Sequence, residues 1–483
     1  MRLSSANLPG LAGSVVRPRY DRDAQSCGIV HLGLGAFHRA HQAVYTDDAM
    51  NDGDRDWGIV AASLRASRAK TQMSPQDGLY TVRERQGSDC VIRLIGAVRK
   101  ALVAPEDSAA LLRALADPST RIVSFTITEK GYCRGPDERL DRSLPDLASD
   151  LSAAIVPKTI YGFLGRALSM RQHVDAPGLT LLCCDNLANN GRKLAALLGE
   201  FLDETNPALV PWFVDHCRCP SSMVDRIVPA TTEADRDQIA RDIGLRDEAT
   251  VSTEPFRQWV IEDTFAGPRP RWEIGGAQFV RDVAPFEAAK LRMLNGAHSA
   301  LAYLGLARGH TFVHEAVIDP ALRPLIEHLI RHEAAPSLSP APGLDLEAYA
   351  SALITRFANA ALQHRLAQIA MDGSQKVPQR WLLTLEIQCE KGRDCPALLQ
   401  ALAAWIVFLR SDVERLGDPM ATTLMGLWRR EGASGIVDAL FGPGGVFTRY
   451  WRASPQMRSR LTRLVAGSID RPDDPVRGLT MCP

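Results

Sequence analysis

Lys290, Asn295 and His298 lie in the run Lys290-Leu-Arg-Met-Leu-Asn295-Gly-Ala-His298, behind the lead-in Pro285-Phe286-Glu287. At about 100° per residue of α-helix, Lys290 at the origin puts His298 near about 80° and Asn295 near about 140°. The three then share one side of a helix, with Leu291 and Met293 pointing elsewhere. A base, a neutral amide donor and a titratable ring on one face suit proton removal from an alcohol and stabilisation of the alkoxide left behind, with no metal required. Lysine is charged at its reference pKa of about 10.4. Lys290 must therefore be neutral in its working state, which partial burial beside a positive charge would favour. Glu287, one turn earlier, can pair with it or pass its proton to solvent.

Such a helix needs a cofactor platform. Gly28-Ile-Val-His-Leu-Gly33-Leu-Gly35-Ala36-Phe37-His38 reads as an apolar strand, a glycine turn and a helix start. Gly33 and Gly35 occupy the first two positions of a dinucleotide-binding fingerprint, and Ala36 and Phe37 open the helix whose amides would face a pyrophosphate. His38 stands at the third glycine position, so the fingerprint is incomplete. The second strand ends at Ser63-Leu64-Arg65, with no carboxylate for an adenosine ribose. An Arg there can accept a 2′-phosphate, so NAD is expected and NADP is not excluded. Asn186, at the end of a later strand, offers a second amide donor beside Asn295.

Strands are expected at Gly28–Leu32, Trp57–Ser63, Arg121–Thr128 and Leu179–Cys184, with helices between them, among them Ser108–Ala116 and Lys193–Asp203. That alternation predicts a parallel doubly wound sheet. From Glu287 onward helical patterns dominate, at Ala288–Leu306, Ala321–His332, Leu346–Ala361 and Pro396–Leu416. The expected fold class is α/β plus α: a Rossmann-type nucleotide-binding domain over residues 1–286, followed by a mostly helical substrate-binding and catalytic domain over 287–483, with the Lys290 helix at their seam. In the second half, Asp372-Gly-Ser-Gln-Lys376-Val-Pro-Gln-Arg380 gathers two cations and several amides around a turn, a setting suited to a hydroxylated or carboxylated ligand. Arg365 lies nearby in sequence.

Composition narrows the field. The 483 residues carry a formal net charge of +0, with 46% hydrophobic and 23% charged residues, so there is no global pull toward nucleic acid or an anionic membrane. The first ten residues lack an apolar core of signal-peptide length. The longest apolar stretch, Pro396 to Leu409, is interrupted by Gln400 and too short to span a bilayer. A cytoplasmic protein with reduced thiols is expected. Cys183-Cys184 and Cys217-Arg-Cys219 are spaced wrongly for structural zinc, and no cluster of Cys, His and Glu supplies a catalytic one. No Tyr is followed four residues later by Lys, which sets aside the short-chain tyrosine–lysine chemistry.

The chain resembles the mannitol dehydrogenase family of long-chain polyol dehydrogenases along essentially its whole length. The resemblance rests on Gly33–Gln42, Thr126-Ile-Thr-Glu-Lys-Gly-Tyr132, Cys184-Asp-Asn-Leu-Ala-Asn-Asn-Gly191, Met223–Pro229, Gln258–Asp263, Lys290–His298 and Asp372–Arg380. It implies a Rossmann-type domain plus a helical domain and NAD-linked interconversion of a secondary alcohol and a ketose without metal. It places the general base on Lys290, the oxyanion amides on Asn186 and Asn295, the substrate histidine on His298 and a substrate-binding lysine on Lys376. Some members carry an Arg eight residues before that lysine, where this chain has Gln368, a departure that speaks against plain mannitol. Glu129–Tyr132, Gln258–Asp263 and Gln368–Lys376 resemble the fructuronate reductase (D-mannonate oxidoreductase) branch. That branch implies D-mannonate and D-fructuronate as the substrate pair, with Lys376, Arg380 or Arg365 as partners for the carboxylate. Mannitol, arabinitol or sorbitol is the alternative, and a nucleotide-sensing protein on a dehydrogenase scaffold is the non-enzymatic one.

Overall fold

The apolar run after Ser26 forms strand β1 (Cys27–Leu32), the centre of the main sheet in a computed structural model that describes residues 1–152 and 156–470. The other strands are β2 (Gly58–Ser63), β3 (Tyr80–Gln86), β4 (Asp89–Ile95), β5 (Val98–Val103), β6 (Ile122–Phe125), β7 (Thr180–Cys183), β8 (Ser222–Asp225), β9 (Val251–Thr253), β10 (Gln258–Glu262) and β11 (Gln278–Val280). The main sheet is parallel throughout, in the order β5-β2-β1-β6-β7. This is the doubly wound order, reversing direction at β1, where dinucleotides bind outside the carboxyl ends of the strands.

Alternate side chains send the two faces of this sheet into separate cores. Leu32, Val60, Val123, Phe125, Leu181 and Cys183 pack with the helices Ser108–Ala116, Ile160–His173 and Asn190–Thr205. Ile29, Ile59, Ala61, Ile122, Leu182 and Cys184 face the helix Gln42–Asn51 and the indoles of Trp259 and Trp272. Cover on both faces explains why these strands read as continuous apolar runs rather than alternating ones. Two three-stranded sheets, β4-β3-β9 and β11-β10-β8, complete this unit.

The chain divides into two compact units, Met1–Ala284 and Pro285–Pro483; residues 471–483 of the expected second domain lie outside the described residues. Between 285 and 470 the described residues form helices and no strand, save an isolated bridge between Phe312 and Arg365. The helices Gly296–Ala307 and Pro396–Phe408 are buried along most of their length and pack on each other. Among the described residues, three π-helical stretches interrupt this unit, Lys290–Asn295, Leu329–Ala334 and Pro378–Leu382, and the first packs against the other two.

Several expected elements are corrected. Pro396–Leu416 is not one helix: it stops at Phe408 and a short turn follows at Val413–Leu416. The polar Arg410-Ser-Asp segment, whose short side chains compete for backbone groups, falls in the gap. Leu346–Ala361 ends at Phe357, while Lys193–Asp203 extends to Asn190–Thr205. The strand expected over Arg121–Thr128 ends at Phe125, because Ile127 and Thr128 turn their amides to the Asp185 carboxylate at 3.0 Å each.

Candidate active site

The glycine turn follows β1 directly. Gly33 sits at φ +108°, and a Cβ there would lie 2.0 Å from the Thr126 carbonyl oxygen, so only glycine fits. Gly35 differs: its φ is ordinary, and a Cβ would meet nothing nearer than the Gly33 oxygen at 3.8 Å. Gly35 thus leaves open space where a bound group can approach the backbone, as the fingerprint requires of its second glycine. The helix Ala36–Ala40 begins next. The first amides of a helix, here those of Ala36 and Phe37, have no acceptor within it. These residues fit a dinucleotide.

His38 does not simply replace a glycine. Its ring stacks on that of His31 from β1, with centroids 3.4 Å apart and planes 10° from parallel. His31 reaches Ser124 Oγ through Nδ1 (2.8 Å) and Thr126 Oγ1 through Nε2 (2.8 Å), and Thr126 Oγ1 donates to the Gly33 carbonyl (2.7 Å). A third glycine would let the helix close onto the strand; here two flat rings set that spacing. Burial holds His31 down to about 3 and His38 well below the usual histidine range. The rings are therefore neutral at ordinary pH.

Two buried arginines brace the loop from outside. Arg39 donates to the carbonyls of Gly35 (3.2 Å) and Ala249. Arg226, from the Met223–Pro229 motif, donates to the Ala40 carbonyl (2.5 Å) and pairs with Glu84 (2.5 Å). Neither was read from sequence as part of the site; their position inside the recognised motifs was the available signal.

His38→Ala is expected to weaken NAD binding roughly tenfold, the scale of about 1.4 kcal/mol of lost positioning, in a fluorescence titration. The folded pKa of His38 is depressed, so its share of stability is present above pH 6.5 and is lost as the pH falls below it. The Tm advantage of the wild type over the variant should therefore shrink on acidification. An advantage that holds or grows as the pH falls would show that the stack is not kept neutral.

At the edge of β7, Asp185 joins two of the recognised motifs. Its carboxylate accepts from the amides of Ile127 and Thr128 and from the Tyr132 hydroxyl at 2.8 Å. Burial raises its pKa, against the lowering effect of these donors. Asn190 Nδ2 donates to the Asp185 carbonyl at 3.0 Å. Asn186 follows on this braced corner with its side chain exposed. Arg65, beyond the end of β2, is also exposed and lies 3.7 Å from Asp146.

In the second unit the Lys290 segment is helical, but its turn is not the expected one. Lys290–Asn295 is π-helix and Gly296–Ala307 is α-helix. Bonds from i to i+5 widen the turn, so the 100° step, and the angles drawn from it, do not hold across Lys290–Asn295. Lys290 and Asn295 are half-buried and His298 is buried. Where π meets α the bonding frame shifts, and side chains from Pro378–Leu382 serve the carbonyls at that junction. Arg380 Nη1 donates to the Asn295 carbonyl (3.2 Å) and to Ser299 Oγ (2.7 Å), and Trp381 Nε1 donates to the Gly296 carbonyl (3.0 Å).

His298 packs against Phe357 (centroids 4.5 Å apart) and edge-on against His364 (5.3 Å). Its Nε2 is buried without a hydrogen-bond partner. Burial first, then His364, Arg356 and Arg380, push its pKa well below the histidine range. Lys376 Nζ donates to the carbonyls of Met371 (2.6 Å) and Ile369 (3.3 Å) and lies 3.8 Å from Asp372. Its pKa is lowered by burial and by Arg380. The segment expected as a turn is a short helix, Gly373–Val377, running into the π stretch. Arg365 stands apart from these cations' bonding, exposed, with its guanidinium over the Phe312 ring at 5.3 Å. His364 and Arg356 were not picked out in the sequence, where no motif marks them.

Among the described residues, no group of three or more His, Cys, Asp or Glu side chains is placed to hold a metal ion, and no helix is long and apolar enough to cross a membrane. Cys183, Cys184, Cys217 and Cys219 are not disulfide-bonded, and burial raises the pKa of Cys184, Cys217 and Cys219.

A doubly wound sheet with a glycine turn at its switch point, followed by a helical unit carrying a Lys-Asn-His run, defines a Rossmann-type dehydrogenase architecture. Comparison with known proteins agrees. Family models match in two parts, the mannitol dehydrogenase Rossmann domain over residues 27–274 and the mannitol dehydrogenase C-terminal domain over 282–433. D-mannonate oxidoreductase of Escherichia coli is 40% identical over 92% of each chain. Mannitol 2-dehydrogenase of Phaeosphaeria nodorum is 36% identical over 88% of this chain and 77% of its own. The ternary complex of Pseudomonas fluorescens mannitol 2-dehydrogenase with NAD and D-mannitol superposes with a TM-score of 0.84, at 36% identity and full coverage of both chains. The chain belongs to the mannitol dehydrogenase family.

Proposed function

We propose that the protein is an NAD-dependent oxidoreductase that interconverts D-mannonate and D-fructuronate. Bound NAD supplies the hydride acceptor for the carbinol carbon. Lys290, in its neutral form, takes the hydroxyl proton as the carbonyl forms. Asn186 and Asn295 donate to the oxygen as it gains negative charge, and His298, with its unpartnered Nε2, hydrogen-bonds a substrate hydroxyl. Gly33, Gly35, Ala36 and Phe37 hold the pyrophosphate.

The observation that carries the sugar-acid reading is the charge around His298. Arg356 and Arg380 both act on its ring, and Arg380 acts in turn on Lys376, whose charge Asp372 at 3.8 Å and Asp418 offset in part. One buried and two half-buried cations crowded this way favour a ligand that brings an anion. A neutral polyol is the second reading, favoured by Lys376 already giving hydrogen bonds to two backbone carbonyls and by relatives named for mannitol.

A panel of mannonate, altronate, mannitol, arabinitol and sorbitol decides between them. Mannonate is expected to exceed mannitol in kcat/KM by about 10–100-fold, the worth of one charge-assisted hydrogen bond. Mannitol outperforming mannonate would overturn the assignment.

A further inference from the structure

We propose that Arg65, supported by Arg68, forms a subsite for the 2′-phosphate of NADP, so that the enzyme works with both dinucleotides; this rests on the dehydrogenase reading above. In a sheet of this order, the residues just past the second strand meet the adenosine ribose, and a carboxylate there both holds the 2′-hydroxyl and repels a 2′-phosphate. The strand β2 ends at Ser63, and residues 63–70, Ser-Leu-Arg-Ala-Ser-Arg-Ala-Lys, contain three cations and no carboxylate.

The turn that carries Arg65 is pinned. Ser63 Oγ accepts from the Ala66 amide (3.1 Å), the Ser63 carbonyl accepts from Ala104 (2.9 Å), and a helix follows at Arg68–Met73. The Arg65 side chain is 78% exposed, and its ion pair with the half-exposed Asp146 spans 3.7 Å. Exposed pairs of that length hold a guanidinium weakly, whereas a phosphate offers two oxygens to its fork. Lys70 is engaged with Glu106 at 2.6 Å, which leaves Arg65 and the exposed Arg68 as the cations for the phosphate.

The test compares kcat/KM for NADP and NAD in the full-length enzyme, together with NADPH and NADH binding by fluorescence without substrate. NADP is expected within about 100-fold of NAD, and Arg65→Ala should lower the NADP-to-NAD ratio by about tenfold or more, the loss of a charge-assisted contact. Leu64→Asp, which restores an acid after the strand, should lower the same ratio in both measurements. A wild-type ratio below about 10⁻³ in the binding assay, or a ratio unmoved by Arg65→Ala, overturns the subsite. Binding of both dinucleotides with turnover of no substrate would instead overturn the dehydrogenase reading and leave the subsite standing, since the titration reads it directly.

Discussion

Lys290→Ala is expected to lower kcat for alcohol oxidation by at least about 10²-fold, the scale of losing a positioned base. Lys290, a half-buried residue, stands at the first position of the π stretch, on a helix that continues to His298. A lysine base works only when neutral, so wild-type oxidation should quicken as the pH rises through the Lys290 ionisation, and the variant should lose that rising limb. Steady-state kinetics across pH, with circular dichroism to verify folding, make the measurement. Turnover near the wild-type level, or an unchanged pH limb, would remove Lys290 from the mechanism.

The second large effect is expected at the two amides. Asn186→Ala and Asn295→Ala should each lower kcat by about 10²–10³-fold, equivalent to roughly 3–4 kcal/mol of lost oxyanion stabilisation. Both changes leave the bonds described around these two positions in place. Arg380 and Trp381 bond the backbone carbonyls of Asn295 and Gly296, and alanine keeps a carbonyl at 295. The corner carrying Asn186 is braced by the Asp185 carboxylate. Tm and NAD affinity should thus stay near wild type while kcat falls. If KM rises with kcat unchanged, the amides bind substrate and transition state equally and hold no oxyanion.

Much of the first unit was legible because its signals are local. The apolar run into Gly33 marks the strand and the turn, and the positive φ that Gly33 adopts is one that glycine alone takes without strain. The hairpin of β3 and β4 was missed: Arg83-Glu84-Arg85 carries too much charge to read as a strand, yet it pairs residue for residue with Cys90–Ile92. Arg39 and Arg226 were missed for the opposite reason. An arginine in sequence reads as surface, and only the fold reveals that these guanidinium groups end on buried backbone carbonyls. The Lys-Asn-His run was recognised with the wrong turn around it. Every residue from Lys290 to Asn295 tolerates α-helix, so nothing in their types announces an i→i+5 frame; the partners that stabilise it, Arg380 and Trp381, come from about 85 positions later in the chain.

That widened turn ties the geometry of this part of the molecule to the number of its residues as well as to their types. Conservative exchanges at Leu291 or Met293 leave the count of residues between the base and the histidine unchanged. Removal of a single residue there would close the wide turn to ordinary α-helix and cost the segment its i→i+5 bonds. Natural or designed variants of this protein should therefore keep Lys290, Asn295 and His298 and the count of residues between them, while Leu291 and Met293 exchange for other apolar residues.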